Sequence, residues 1–257
     1  MNLRLNWIGF KTLLRKEVIR VVRIWIQTIV PPAITMTLYF IIFGNLIGRR
    51  IGTMDGFDYM QYIAPGLIMM SVITSSYGNV VSSFFGAKFG KHVEEMVVSP
   101  MSNATIIIGH VAGGITRGLF VGIMVTIIAL GFTDLSIAHP LITFSMVILT
   151  SIVFSLLGFV NAVFANKFDD IAIIPTFVLT PLTYLGGVFY SISLLPEFWQ
   201  AVSLGNPILY MVNAFRYGIL GVSDISIGFA YMIVTVFVVG LFSLNLVLLN
   251  RGVGIRQ

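Results

Sequence analysis

The chain has 257 residues, 57% of them hydrophobic and 10% charged, with a net charge of +5. A water-soluble globule carries about 25% charged residues, so this composition excludes a soluble domain and makes lipid the solvent for most of the chain. There is no cysteine, and His92, His110 and His139 lie far apart, so neither a disulfide framework nor a spaced metal site can be argued, and no metal is expected.

Residues 1–23 interleave Arg4, Lys11, Arg15, Lys16, Arg20 and Arg23 with an apolar stripe of Leu3, Trp7, Phe10, Leu14, Val18 and Val21. Steps of three and four residues are the period of one helix face. The pattern predicts an amphipathic helix lying flat at the interface, apolar face in the acyl region and basic groups among the headgroups. Charge interleaved throughout argues against a signal peptide. The helix is either an anchor that sets topology or, in addition, a dock for a cytoplasmic partner.

A hydrocarbon core about 30 Å thick takes roughly 20 apolar residues of helix, and each span must be helical because unpaired backbone groups are not tolerated there. Six segments qualify, at about 24–48, 59–87, 104–132, 140–166, 171–190 and 225–250. They make an all-α membrane domain over 24–250, with a tail at 251–257. Pro175 and Pro181 interrupt the fifth span, as membrane helices allow where neighbours re-satisfy the backbone. Six spans place both termini on one side. That side carries eleven Lys and Arg, namely the six of residues 1–23 with Lys88, Lys91, Lys167, Arg251 and Arg256, against three (Arg49, Arg50, Arg216) on the other. The asymmetry puts both termini in the cytoplasm.

The third span holds Gly114, Gly118 and Gly122 at four-residue steps beside Gly109 and Gly113. Such spacing lets helix backbones approach closely in lipid, within the monomer or across a dimer. Arg117 is the one charged side chain inside a span. It is either a cation on a substrate path or a packed or hydrated side chain of structural use.

The loop 86–103, GAKFGKHVEEMVVSPMSN, sets Lys88, Lys91, Glu94 and Glu95 beside Met96, Val97 and Val98 and ends at Pro100. Three apolar residues next to two acids suggest a short amphipathic helix that docks into something; a plain connector is the other reading. Residues 192–221 include Pro196, Trp199, Asn206, Pro207 and Arg216. They are too apolar for a free loop and too broken for a span, so short helices re-entering the outer leaflet are expected, with aromatic rings at headgroup level.

Motifs for covalent chemistry are missing from the sequence. No phosphate-cradling G-x-x-x-x-G-K-[ST] occurs, since Phe10 stands where Lys11-Thr12 would need a glycine; no G-x-S-x-G or H-E-x-x-H occurs either. The chain is therefore expected to be no enzyme, and any ATP that drives it must be hydrolysed by another polypeptide.

The stretches PPAITMTLYFIIFGNLIG (31–48), YMQYIAPGLIMMSVI (59–73), SSFFGAKF (82–89), FDDIAIIPTFVLTPLTYLGGVFYS (168–191) and LGNPILYMVNAFRYGILG (204–221) resemble the permeases of ABC transporters of the type-2 exporter class. The run from Pro175 to Arg216, ending in NP-x(8)-R, is the most specific. The resemblance covers essentially the whole chain. It implies a six-helix subunit of the bacterial inner membrane that pairs with a second copy and with a separate cytoplasmic ATPase subunit, two copies per complex. ATP and magnesium would then sit on that partner, with no cofactor on this chain and no role for nucleic acid. It further implies that 86–103 is the coupling helix, that residues 1–23 form the interfacial connecting helix, and that 192–221 re-enters from outside. The pathway would lie at the dimer interface between the first, second and fifth spans, where span membership nominates Phe40, Met69, Phe177 and Tyr184. Cargo varies across the family and nothing here selects one. The rival readings are a channel or scaffold without an ATPase, and an intramembrane enzyme, for which His110 is the one base within the spans.

Overall fold

The computed structural model describes residues 3–254. Of the basic residues counted for orientation, Arg256 and the side chain of Arg49 lie outside what is described. The elements are α1 (Leu3–Arg23), α2 (Trp25–Tyr39), a two-residue hairpin β1 (Thr53–Met54) and β2 (Phe57–Asp58), α3 (Tyr59–Phe89), α4 (His92–Val98), α5 (Asn103–Leu130), α6 (Pro140–Phe164), α7 (Asp170–Tyr184), α8 (Glu197–Leu204), α9 (Pro207–Leu220) and α10 (Ile227–Asn250). Helix α2 runs on without a break through wide π-helical turns, Phe40–Ile47, and a last turn, Gly48–Ile51.

Among the described residues, α2, α3, α5, α6 and α10 are the five helices long and apolar enough to cross a membrane. The expected fifth span differs. Helix α7 ends at Tyr184, which makes it about 22 Å long at 1.5 Å per residue, short of the ~30 Å core. The cause is the Gly186–Gly187 pair: Gly187 has φ +69, which no right-handed helix accommodates. The chain reverses there and continues through α8 and α9.

Helix α3 is the axis of the bundle, packed by α5, α6 and α9, while α10 leans on α6 and α9. Its start is set by Asp58, whose carboxylate accepts from Met60 N, an ordinary N-cap. The glycines of α5 all face neighbours within the chain. A Cβ on Gly113 would run into Glu17 and one on Gly109 into Leu13, both of α1. One on Gly114 would strike Ser155 and Val80, one on Gly118 Ser76 and Ser151, and one on Gly122 Val72. The stripe is thus a packing seam for α1, α3 and α6 inside one monomer.

Helix α1 departs from expectation in one respect. Its enclosed line is Leu13, Glu17 and Val21, turned toward α5, while Leu3 and Trp7 of the anticipated apolar stripe are exposed. The helix tracks the first part of α5 side by side: Asn6 meets Ser102 and Thr105, Gly9 meets Met101, Leu13 meets Gly109, and Glu17 meets Gly113.

Gly66 of α3 tests this packing most directly, because the atoms a Cβ would meet are backbone, with Val188 Cα at 2.9 Å. Gly66→Ala should lower thermal stability in detergent by about 1–3 kcal/mol. Gly240→Ala, with nothing within 4 Å, should leave the melting temperature unchanged or slightly raised.

Candidate coupling site and membrane path

The loop between α3 and α5 is a formed helix. It leaves α3 through Gly90 and Lys91, the latter in the left-handed region (φ +61), and starts α4 at His92. Glu94 and Glu95 occupy the first turn, where the unpaired N–H groups of a helix favour negative charge. Val93 is buried and Met96 half-buried against the core, three residues apart on one face. The opposite face presents Glu94, Glu95, Val97 and Val98 together with Lys91 and Pro100, all exposed; Val98 is 87% exposed. The pair His92–Glu95, 3.9 Å apart and open to solvent, contributes little.

Two expected docking residues are thereby reassigned. Met96 holds α4 to its own subunit. Lys88 donates from Nζ to the carbonyls of Val163 and Ala165, both at 2.7 Å, and so closes the end of α6, where the last carbonyls of a helix lack partners. The rings of Phe85, Phe89 and Phe168 meet edge-on or tilted and fix the α6–α7 turn to the end of α3.

The start of α5, just after α4, is tied to α1. Asn6 Oδ1 accepts from Ser102 N at 2.7 Å and from Thr105 Oγ1 at 3.0 Å, next to the Ser102 side chain that caps α5. Farther along α1, Glu17 is fully enclosed. One of its oxygens accepts from the Ser83 hydroxyl, and the other pairs with Arg20 Nη2 at 3.1 Å. The same Nη2 donates to Asn79 O and Oδ1, each at 2.8 Å. This latch between α1 and α3 escaped the sequence reading. The available signal was that Glu17 is the one acid before Asp55 in a strongly basic stretch.

The four nominated pathway residues separate into two pairs. Phe40 and Met69 are fully enclosed within the chain, and Phe40 stacks on Phe132 at 5.5 Å. Phe177 and Tyr184 are exposed on α7. Tyr184 lies 3.3 Å from the Tyr39 hydroxyl and stacks on Phe189, which also meets Phe43. Between α3 and α7 lies a cavity of about 190 Å³, lined by Met70, Thr74, Tyr77 and Gly78 on one side and Pro175, Leu179, Thr180 and Thr183 on the other.

The segment after α7 is held by the residues singled out there. Pro196 precedes α8, where Trp199 is partly exposed beside Phe198. Asn206 accepts from Ile208 N to cap α9 and donates to Leu182 O at 2.6 Å, with Pro207 in the first turn. Arg216, counted as an outer loop charge, is fully buried instead: it donates to Gly187 O (2.5 Å) and Tyr62 O (3.3 Å) and lies 4.1 Å over the Tyr62 ring. The NP-x(8)-R pattern is therefore a clamp, one end of α9 gripping the close of α7 and the other gripping the Gly187 reversal and α3.

A bundle whose five longest apolar helices can each cross a membrane, with a short helix at one end of the longest that exposes an acidic and apolar face, is the build of an integral membrane protein. The sequence profile of the ABC-2 type transporter family matches residues 8–220, and the chain belongs to that family. It is similar to the inner membrane transport permease YadH of Escherichia coli (strain K12), with 55% identity over 255 residues that cover 99% of this chain and 100% of that protein. Nodulation protein J of Rhizobium leguminosarum bv. viciae is 25% identical over 218 residues, 83% of each chain.

Lys88→Ala should destabilise the folded chain by about 1–3 kcal/mol, because it strips two carbonyls of their donor. Lys91→Gly should stabilise it by about 1 kcal/mol, since glycine adopts the left-handed backbone without strain. Thermal unfolding in detergent reads both.

Proposed function

We propose that the chain is the membrane-spanning permease subunit of an ATP-driven exporter, that two copies form the pathway, and that each is moved by a separate cytoplasmic ATPase subunit carrying ATP and magnesium. The observation that supports this most is the outward face of α4. Val97 and Val98 are exposed outside any span, and Glu94 and Glu95 flank them. An apolar pair beside paired carboxylates suits insertion into a partner's groove, with the charges fixing register. Neither lipid nor solvent requires that combination.

In this reading α4 and both termini lie in the cytoplasm and α1 at the cytoplasmic face of the membrane, in accord with the distribution of Lys and Arg. Helix α7 completes a sixth span with α8 and α9 folding back from the outer side, which accounts for its short length. The exposed flanks of α2 (Ile26, Val30, Ile34, Leu38) and α7 (Ile173, Phe177) meet the second copy. The cargo path then runs between α2, α3 and α7, past Thr74, Thr180 and Thr183. ATP-driven approach of the two ATPase subunits moves α4, and α4 moves α1 through Asn6. The two halves shift as bodies and alternate access to that path.

Glu94→Lys with Glu95→Lys, and separately Val98→Asp, should reduce co-purification of the ATPase at least about tenfold, as expected for loss of a central anchor. Membrane insertion should stay unchanged and the melting temperature nearly so, because these side chains are exposed and the His92–Glu95 pair is open to solvent. A complex that survives both changes would remove α4 as the docking element and leave the channel or scaffold reading in its place.

A further inference from the structure

Two arginines converge where α1 turns into α2. Gly113 of α5 receives Glu17 of α1; Arg117 stands one turn farther along the same face of α5, and Arg20 three residues beyond Glu17 on α1. Arg20 is accordingly the charged neighbour of Arg117. Two like charges in a partly enclosed place repel unless an acceptor lies between them. Glu17 is already engaged by Ser83 and Arg20.

The donors there outnumber the acceptors. Arg117, half-buried, makes no hydrogen bond or ion pair among the described residues, and its Nε is enclosed. Arg20 Nε is likewise enclosed and unpartnered. A third unmet donor is Nδ2 of the fully buried Asn79, which lies beside the Arg20 guanidinium because Oδ1 of the same amide accepts from Nη2 at 2.8 Å. The place lacks one group with negative charge and several acceptor oxygens, which is the description of a phosphate.

Depth indicates which phosphate. Counting about 20 residues from the start of α3 crosses the hydrocarbon and reaches Gly78, beside Asn79; Val80 meets Gly114 and Ser76 meets Gly118, so Gly78 lies level with the turn of α5 that holds Arg117. Side chains on a helix tilt toward its N-terminus, so Arg117 reaches back toward that boundary. Val22 and Phe120, each within about a turn of Arg117 or of the α1–α2 corner, are exposed apolar side chains suited to acyl chains.

We propose that Arg20, Arg117 and Asn79 hold the phosphate of a phospholipid from the leaflet in which α1 lies. The lipid fills the corner between α1, α3 and α5 and supplies the missing acceptors. This site does not depend on the coupling role of α4, so failure of either leaves the other standing.

Native mass spectrometry of the delipidated full chain, titrated with phosphatidylglycerol, tests it. Arg117→Gln should weaken retention of the bound lipid about tenfold; Arg117→Lys should keep most of it, and Arg23→Gln, at an exposed position of α1, should change nothing. Diacylglycerol with the same chains should not be retained, nor should inorganic phosphate. Unchanged retention in Arg117→Gln, equal retention of diacylglycerol, or binding of inorganic phosphate alone would each overturn the proposal. Should the Gln variant not fold, a phosphatidylglycerol with a photoreactive group beside its phosphate decides on the wild-type chain. Labelling concentrated at 20–24 and 116–120 supports the site, and labelling spread evenly along the chain overturns it.

Discussion

The close approach of helices across the glycines of α5 is the constraint on which the rest of the structure depends. In lipid no hydrophobic force drives two helices together, since acyl chains are as apolar as leucine. What remains is dispersion, which falls steeply with distance. Gly109, Gly113, Gly114, Gly118 and Gly122 remove the side chains that would keep α1, α3 and α6 apart. Contact then becomes possible between groups that would otherwise never meet: a carboxylate against the α5 backbone at Gly113, and serine hydroxyls against the same backbone at Gly114 and Gly118.

That closeness makes an otherwise costly charge tolerable. Glu17 is fully enclosed, and an isolated carboxylate at such a place would be expelled or neutralised. It stays because the seam brings Ser83 and Arg20 to its two oxygens, while Arg20 is held in turn by Asn79. Asn6 performs the same service at the other end of α1, for the loop that follows α4. The loop that follows α4 is therefore hydrogen-bonded to one end of α1, and the other end of α1 to α3. Helix α2 follows directly, since only Ile24 separates it from α1.

The solvent of the chain, the positions of the long helices and the existence of α4 were legible in the sequence because each rests on a local pattern: apolar length, period, or three apolar residues beside two acids. The glycine stripe was legible as close packing, but not its partners, which come from three other helices. Lys88 read as a docking charge of the loop because Lys91, Glu94 and Glu95 follow it within a turn or two. Its real partners, Val163 and Ala165, lie some 75 residues away, and no local rule reaches them. The same holds for Arg216, whose acceptors belong to α3 and to the Gly187 reversal. For Phe40 and Met69, membership of a span was known but not the face, and in helices apolar on all sides the period that would assign a face is absent.

The distribution of irregular backbone follows the same logic. Wide π-helical turns are rare because they lengthen the hydrogen-bonded ring and open space on the axis, and they tend to mark working parts of helices. Here they fall in α2 (Phe40–Ile47) and α7 (Pro175–Leu179), the two helices that also carry proline pairs or a spaced proline and expose most of their surface. The helices around the glycine seam, α3, α5 and α6, contain none. Local stability tracks enclosed apolar contact, so the chain is divided into a stiff block of α3, α5, α6 and α9 and two compliant helices joined to it at identifiable points. Tyr39 and Tyr184, with Phe43 and Phe189 beside them, link those two helices to each other. Under the proposed coupling, a force delivered through α1 would arrive first at α2, where the backbone is least regular, and the Tyr39–Tyr184 contact is a place where it would pass to α7.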